Sequence, residues 1–194
     1  MTYLLTRADV RADKIAAWDD SYSGMIALAV GALDPRYAAV AVQCPACGIE
    51  KPKLAPDERN FQAMQAIFDS GDIAGTPSLL KPIQAFRWFI DYGGRHGTLW
   101  ENRAIRVIPP TPVPLRAYLA APFTRGQILF MAGRNDEMVH CNPEVTQAVF
   151  NLMRCRKEWA DIDGGHFGLL YYPSGIFEEA SARQCAFLVD ALSG

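Results

Sequence analysis

The stretch of sequence from residue 14 to residue 33, KIAAWDDSYSGMIALAVGAL, decides the fold. Its first five residues (14–18) are mostly apolar, and a polar segment, DDSYS (19–23), follows them. Such a short apolar run before turn-forming residues predicts a buried strand. Small apolar residues then fill positions 24–33 up to Asp34-Pro35, where a helix must end because proline cannot continue it. The stretch therefore predicts a strand, a tight turn and a helix in succession.

The same alternation continues along the chain. Apolar runs at 38–44, 127–132 and 158–162 predict further strands, and amphipathic segments predict helices at 57–69, 83–92, 143–153 and 176–192. Asn142 and Pro143 have the residue types preferred at a helix N-cap and at the first helical position. Strands alternating with helices are typical of a parallel sheet covered on both faces. We predict an α/β fold with three layers, α/β/α, around a mostly parallel sheet of about four strands.

Length and composition favour one globular domain, residues 1–194. The chain has 194 residues, of which 50% are hydrophobic and 21% charged, so it can bury a core. Its net charge of -2 disfavours a nucleic-acid surface, and no apolar run reaches the roughly 18 residues of a membrane span. No secretory signal is evident, and five cysteines, an odd number, favour free thiols over a disulfide framework. We expect a cytoplasmic protein.

The region 48–125 interrupts the alternation of strands and helices. It contains most of the prolines, including the segment IPPTPVP (108–114), which should be extended because proline restricts φ. Two amphipathic helices are predicted within it, at 57–69 and 83–92. We interpret 48–125 as a helical cap or lid inserted into the domain.

Three polar segments each follow a predicted strand. Ser21 lies in the turn after the first strand, Asp136 follows the third in GRNDEMV, and His166 follows the fourth in DGGHFG. The carboxyl ends of parallel strands share one edge of a sheet, so these side chains can meet there. A serine hydroxyl needs a neighbouring imidazole to remove its proton and a carboxylate to orient that imidazole. The pattern predicts a Ser21–His166–Asp136 triad, with the backbone N–H of Tyr22 as an oxyanion donor.

The segments WDDSYSG, GRNDEMV and GGHFG together resemble the α/β-hydrolase superfamily, and in particular its dienelactone-hydrolase and acetyl-xylan-esterase-like esterases. The resemblance implies a nucleophile elbow with Ser21, not Ser23, as nucleophile. Two departures stand out. Asp19 occupies the position of the first motif glycine, and the chain corresponds to the C-terminal half of the family's fold, starting just before the elbow strand. The loop that supplies a second oxyanion donor in the family is then expected to be missing.

Other candidate site residues are weaker. Met138, Phe167 and Trp88 are candidates for substrate contact. For Trp88, which lies in the insertion, packing of the insertion onto the sheet is an equal alternative. Cys44 and Cys47 have C-x-x-C spacing, but without a second pair they do not predict a metal site. We expect neither a metal nor a cofactor.

The function expected from these features is hydrolysis of a small or medium acyl ester through an acyl-enzyme. Two alternatives remain: a lactone or thioester hydrolase using the same triad, or a catalytically impaired remnant that serves as a binding or assembly subunit. The first predicted strand would be an apolar edge strand if the first half of the sheet is missing. We therefore expect a homodimer that covers this edge.

Overall fold

The computed structural model describes residues 1–70 and 115–193. The strands of this part are β1 (Ala16–Asp20), β2 (Ala39–Gln43), β3 (Gln127–Gly133) and β4 (Lys157–Ile162). Its α-helices are α1 (Ser21–Leu33), α2 (Glu58–Ser70), α3 (Ala117–Ala120), α4 (Pro143–Leu152) and α5 (Gly175–Ser193). Short 3₁₀ helices lie at Leu4–Thr6, Ala121–Phe123 and Gly168–Leu170.

The four strands form one parallel sheet in the order β1-β2-β3-β4. The register aligns Asp20 at the end of β1 with Gln43 at the end of β2, and Gln43 with Met131 of β3. The loops that follow the strands therefore emerge at one edge of the sheet. The predicted α/β class with a parallel sheet of about four strands is confirmed.

Helices cover both faces of this sheet, because successive side chains of a strand point to opposite faces. Val40 and Phe130 belong to a buried cluster that includes residues of α1 and α4. Ala41 and Leu129, their neighbours in sequence, belong to another cluster with Ala180 of α5. All four strand residues are at most 1% exposed, so the core lies on both sides of the central strands.

Most predicted elements are correct to within one residue at each end, but the first strand and its helix were predicted wrongly. The strand is Ala16–Asp20 and not 14–18, since Asp19 and Asp20 pair with Val42 and Gln43. Pairing with β2 thus overrides the low strand propensity of aspartate. Helix α1 begins at Ser21 and not at residue 24, so the turn between strand and helix is tighter than predicted.

The predicted insertion (48–125) is described only at its two ends. Helix α2 lies where a helix was predicted, and its buried Phe61 and Met64 pack with Leu33 and Leu119. The predicted helix at 83–92 and the extended segment at 108–114 lie outside the described residues. A cap over the site stays a prediction.

Strand β1 is an edge of the sheet formed by the described residues. Its Trp18 is 47% exposed, and apolar Tyr3, Leu4 and Leu5 are also exposed. The homodimer expected from this edge stays a prediction. Within residues 1–70 and 115–193, no helix is long and apolar enough to cross a membrane.

The end of α1 offers a test of stability. Asp34, 5% exposed, accepts hydrogen bonds from Arg36 N (3.2 Å), Nε (2.7 Å) and Nη2 (2.6 Å). Asp34→Ala removes these bonds, and we expect it to lower the free energy of unfolding by about 1–2 kcal/mol. Hydrogen bonds to charged groups can contribute more than this, but Arg36 is partly exposed and solvent weakens its interaction with Asp34. Asp9→Ala is the control, since the Arg7–Asp9 pair is exposed and its loss should leave urea denaturation unchanged.

The contribution of Asp34 should also depend on pH. The hydrogen bonds from Arg36 hold the pKa of Asp34 below its ordinary value. A group with a lowered pKa stabilises the fold above the pKa of the unfolded chain, about 3.9 for aspartate, and loses this effect as the pH falls through the folded-state pKa. The stability difference between wild type and Asp34→Ala should therefore be full at pH 7 and shrink below about pH 4. A stability difference between wild type and Asp34→Ala that grows as the pH falls would contradict this prediction.

Candidate active site

Ser21 lies at the junction of β1 and α1 in a backbone conformation that is unusual for serine. Its φ is 51°, in the left-handed region that residues with a Cβ rarely adopt. The neighbouring loop holds this turn, because the N–H of Ala46 donates to the carbonyl of Ser21 at 2.8 Å. Strained residues of this kind cluster at functional sites, where surrounding structure maintains them. The strand–serine–helix turn has the geometry of a nucleophile elbow.

Gly24 allows the turn to close. A Cβ at this position would lie 3.3 Å from the carbonyl oxygen of Asp19 and 3.4 Å from the Cβ of Pro45. Asp19 itself, at the position where a motif glycine was expected, pairs as a regular strand residue with Val42. Its carboxylate accepts a hydrogen bond from the N–H of Asp20 at 3.0 Å. The elbow therefore accommodates Asp19, and Gly24 provides the space that the turn needs.

His166 connects Ser21 to Asp136. Its Nε2 lies 2.8 Å from Ser21 Oγ, and its Nδ1 lies 3.0 Å from Asp136 Oδ2. The imidazole is buried, and the other oxygen of Asp136 accepts from the N–H of Met138 at 2.9 Å. Since a carboxylate can only accept, the hydrogen-bond network assigns the proton of the neutral ring to Nδ1 and leaves the lone pair of Nε2 facing Ser21. Three residues far apart in sequence thus form one hydrogen-bonded chain.

The loop that carries His166 is held by Glu137, a residue that sequence reasoning missed. Glu137 Oε2 accepts a hydrogen bond from the backbone N–H of His166 at 2.8 Å. The same oxygen would lie 2.7 Å from a Cβ at position 165, so only glycine fits there without a shift. The sequence did offer one indication of a role for Glu137, namely a second carboxylate directly next to Asp136. Asp136 contacts the ring of His166, and Glu137 contacts its backbone.

Two buried thiols, Cys44 and Cys141, flank Asp136. Sequence reasoning considered Cys44 only for its C-x-x-C spacing with Cys47, and it gave Cys141 no role. Cys141 Sγ lies 3.6 Å from His166 Nδ1 and 3.1 Å from the carbonyl oxygen of Cys44. Cys44 has a φ of 42°, and its Sγ accepts from the N–H of Gly133 at 3.3 Å. Burial, followed by the charge of Asp136, raises the pKa of both thiols, which are therefore neutral at pH 7. In the sequence, only the position of Cys44 indicated that it lies near the site: Cys44 directly follows β2 and therefore lies at the same sheet edge as Asp136.

A carboxyl group also lies next to Ser21 in sequence. Burial raises the pKa of Asp20, and the charge of Asp19 adds to this effect, while the nearby His166 acts in the opposite direction.

The N–H of Tyr22, the predicted oxyanion donor, lies in the first turn of α1, where N–H groups have no acceptor within the helix. The positive end of the helix thus faces the region next to Ser21.

The predicted substrate-contacting residues divide into two groups. Met138 and Phe167 are buried and pack with Cys141 in one cluster, and the rings of Phe167 and His166 lie 4.9 Å apart. They are thus close to the proposed triad. Trp88 lies outside the described residues. A cavity of about 410 Å³ adjoins Asp136. Among the described residues, Ser21 does not line this cavity, so the cavity does not serve as a pocket for the acyl group.

Comparison of the fold with solved structures identifies its architecture. The chain is similar to the alpha/beta hydrolase GrgF from Penicillium sp. sh18, with a TM-score of 0.63 and 19% identity over 100% of this chain and 69% of that one. The chain has an α/β-hydrolase fold. This α/β-hydrolase fold is also similar to a monoacylglycerol lipase from Paleococcus ferrophilus (TM-score 0.58, 16% identity, 92% of this chain and 69% of that one).

A third similar structure with the α/β-hydrolase fold is acetyl xylan esterase 1 from Thermoanaerobacterium sp. JW/SL YS485, with a TM-score of 0.53 and 18% identity. The match covers 98% of this chain and 49% of the esterase, so the chain spans about half the length of that enzyme. No protein-family model matches the chain, and no curated protein matches it by sequence. The predicted resemblance to α/β hydrolases is confirmed by structure.

Proposed function

We propose that the protein is a serine hydrolase that cleaves carboxylic esters through Ser21, His166 and Asp136. The observation that carries this proposal is the hydrogen-bonded chain from Ser21 Oγ through the His166 ring to Asp136, with Ser21 on a strained turn at the end of a strand. An imidazole lone pair 2.8 Å from a serine hydroxyl is placed to accept its proton. The esterase and the lipase among the similar structures support the same reaction class.

The reaction follows from these positions in two steps. Ser21 Oγ attacks the ester carbonyl while His166 Nε2 takes the hydroxyl proton, and the N–H of Tyr22 stabilises the oxyanion that forms. His166 then donates the proton to the leaving alcohol, which leaves an acyl group on Ser21. Water, deprotonated by the same nitrogen, then attacks this acyl group. The bond between the acyl carbon and Ser21 Oγ breaks, Nε2 returns its proton to Oγ, and the carboxylic acid is released. Asp136 keeps the Nδ1 proton in place and stabilises the imidazolium.

The substrate we propose is an ester of a small or medium carboxylic acid, with Met138 and Phe167 contacting it. A lactone or a thioester would react by the same steps, because each presents an acyl carbonyl with a leaving group. The choice among them depends on the surfaces around Ser21.

The proposal is tested by covalent labelling together with turnover. A fluorophosphonate probe should add to Ser21 and to no other serine, as located by mass spectrometry of the peptides. Ser23 on the same turn is exposed and serves as the internal control. The protein should also hydrolyse p-nitrophenyl acetate or butyrate above the buffer rate, and labelling should abolish this hydrolysis. Absence of both labelling and turnover would support a binding or assembly subunit without catalysis.

A further inference from the structure

Four metal-ligating side chains converge on the side of His166 that faces away from Ser21. The ligating atoms of Cys44, Asp136 and His166 all lie within 4.8 Å of one another. Cys141 Sγ is 3.6 Å from His166 Nδ1. All four side chains are buried or nearly so, and the proposed ester hydrolysis uses neither thiol. The set of two sulfurs, one imidazole nitrogen and one carboxylate oxygen matches the ligands that Zn²⁺ takes in proteins.

The distances suit a four-coordinate ion. Zn–S bonds of about 2.3 Å and Zn–N bonds of about 2.0–2.1 Å place neighbouring ligands of a tetrahedron about 3.6 Å apart. The distance from Cys141 Sγ to His166 Nδ1 already has this value. The ligating atoms of Cys44, Asp136 and His166 lie within 4.8 Å of one another, so their widest separation would have to close by at most about 1 Å. The 3.0 Å between His166 Nδ1 and Asp136 Oδ2 would have to open slightly.

A route to this site is present. The cavity of about 410 Å³ is lined by Cys44, Asp136 and Cys141, so an ion in the cavity would lie beside three of the four residues. Asp161 and Arg134 also line it, with opposite charges. Ser21 is not among the lining residues, so the cavity lies apart from the proposed nucleophile.

We infer that a thiophilic divalent cation such as Zn²⁺ binds to Cys44, Asp136, Cys141 and the Nδ1 atom of His166. The bound cation switches off the proposed hydrolase. Binding requires deprotonated ligands, so thiol protons pass to solvent as the Zn–S bonds form. The Nδ1 lone pair is needed for the metal, and the Nδ1 proton therefore moves through solvent to Nε2. Nε2 then carries an N–H that points at Ser21 Oγ and cannot accept the serine proton. No oxidation or reduction is involved.

Inhibition by the metal rests on the proposed hydrolase function, whereas binding of the metal does not. Two measurements test binding and inhibition separately. In the first, Co²⁺ is added to the Ser21→Ala variant, which lacks the proposed nucleophile. A thiolate-to-cobalt charge-transfer band should appear and should be displaced by Zn²⁺. Its absence would overturn the metal site whatever the activity of the protein. The band in Ser21→Ala together with a wild-type protein that has no esterase activity would support the site and reject the hydrolase.

The second measurement is inhibition of p-nitrophenyl acetate hydrolysis by Zn²⁺, with reversal by EDTA. Cys44→Ala should raise the Zn²⁺ concentration for half-inhibition by at least about 10-fold, each variant being compared with its own metal-free rate. Cys185→Ala and His140→Ala remove an exposed thiol and an exposed imidazole, and both should be inhibited like the wild type. Cys141→Ala provides a second ligand variant if Cys44→Ala fails to fold. Unchanged inhibition of the folded ligand variants would overturn the inference.

Discussion

Replacement of Ser21 by alanine is expected to remove nearly all hydrolysis of p-nitrophenyl acetate above the rate measured in buffer. Ser21 supplies the only atom of the proposed machinery that bonds to the acyl group, so His166 and Asp136 have no partner to activate without it. Loss of the nucleophile from a serine hydrolase costs about 10⁶-fold in kcat, as much as loss of the whole triad. The measurement is kcat/KM above background, with circular dichroism to show that the variant is folded.

Ser23→Ala is the matched control for this experiment. Ser23 lies two residues further along the same turn, is exposed, and has no hydrogen bond to His166 among those found in the described residues. The variant should keep kcat/KM within about threefold of the wild type, since surface substitutions change little. Loss of activity in Ser23→Ala with retention in Ser21→Ala would reverse the assignment of the nucleophile.

Asp136→Asn is expected to lower kcat by about 10⁴-fold with little change in fold. The amide nitrogen of asparagine would donate to His166 Nδ1, which now sits 3.0 Å from a carboxylate oxygen. The ring proton would then occupy Nε2, and the base would face Ser21 with a hydrogen instead of a lone pair. The measurement is single-turnover acylation, which isolates this step.

The neighbouring carboxylate provides the comparison. Glu137→Gln keeps an acceptor for the backbone N–H of His166 and leaves the ring tautomer unchanged. We expect a loss of less than about tenfold, because one charged hydrogen bond is replaced by a neutral one. Equal losses in Asp136→Asn and Glu137→Gln would show that the two carboxylates act only by holding the loop.

Local signals in the sequence predicted most elements well. Helix α4 begins at Pro143, and its N-cap Asn142 accepts from Glu144 N and Val145 N, as its residue type predicted. The apolar runs of β2 and β3 were found to within a residue, because both strands are buried on both faces. These signals depend on neighbours in the chain. β1 was misplaced by two residues, because its carboxyl end is set by pairing with β2 and not by its own composition.

The candidate site was predictable only in part for the same reason. Ser21, Asp136 and His166 follow strands, and the parallel topology brings all strand ends to one edge. The thiols of Cys44 and Cys141 are 97 residues apart in the chain, and no local pattern relates them. Their convergence on Asp136 depends on the adjacency of β2 and β3 and on the sharp turn at Cys44.

The sequence by itself determined the α/β class, the parallel sheet and the order of serine, aspartate and histidine along the strand ends, because hydrophobic periodicity and turn residues act over a few neighbouring positions. Tertiary structure decided what those positions can do chemically. It placed Ser21 at a φ of 51° and joined it to His166 within 2.8 Å. It also set Glu137 against the backbone of His166 and two neutral thiols beside Asp136. Distances, burial and proton positions arise from packing between segments far apart in the chain, and local sequence patterns do not encode them.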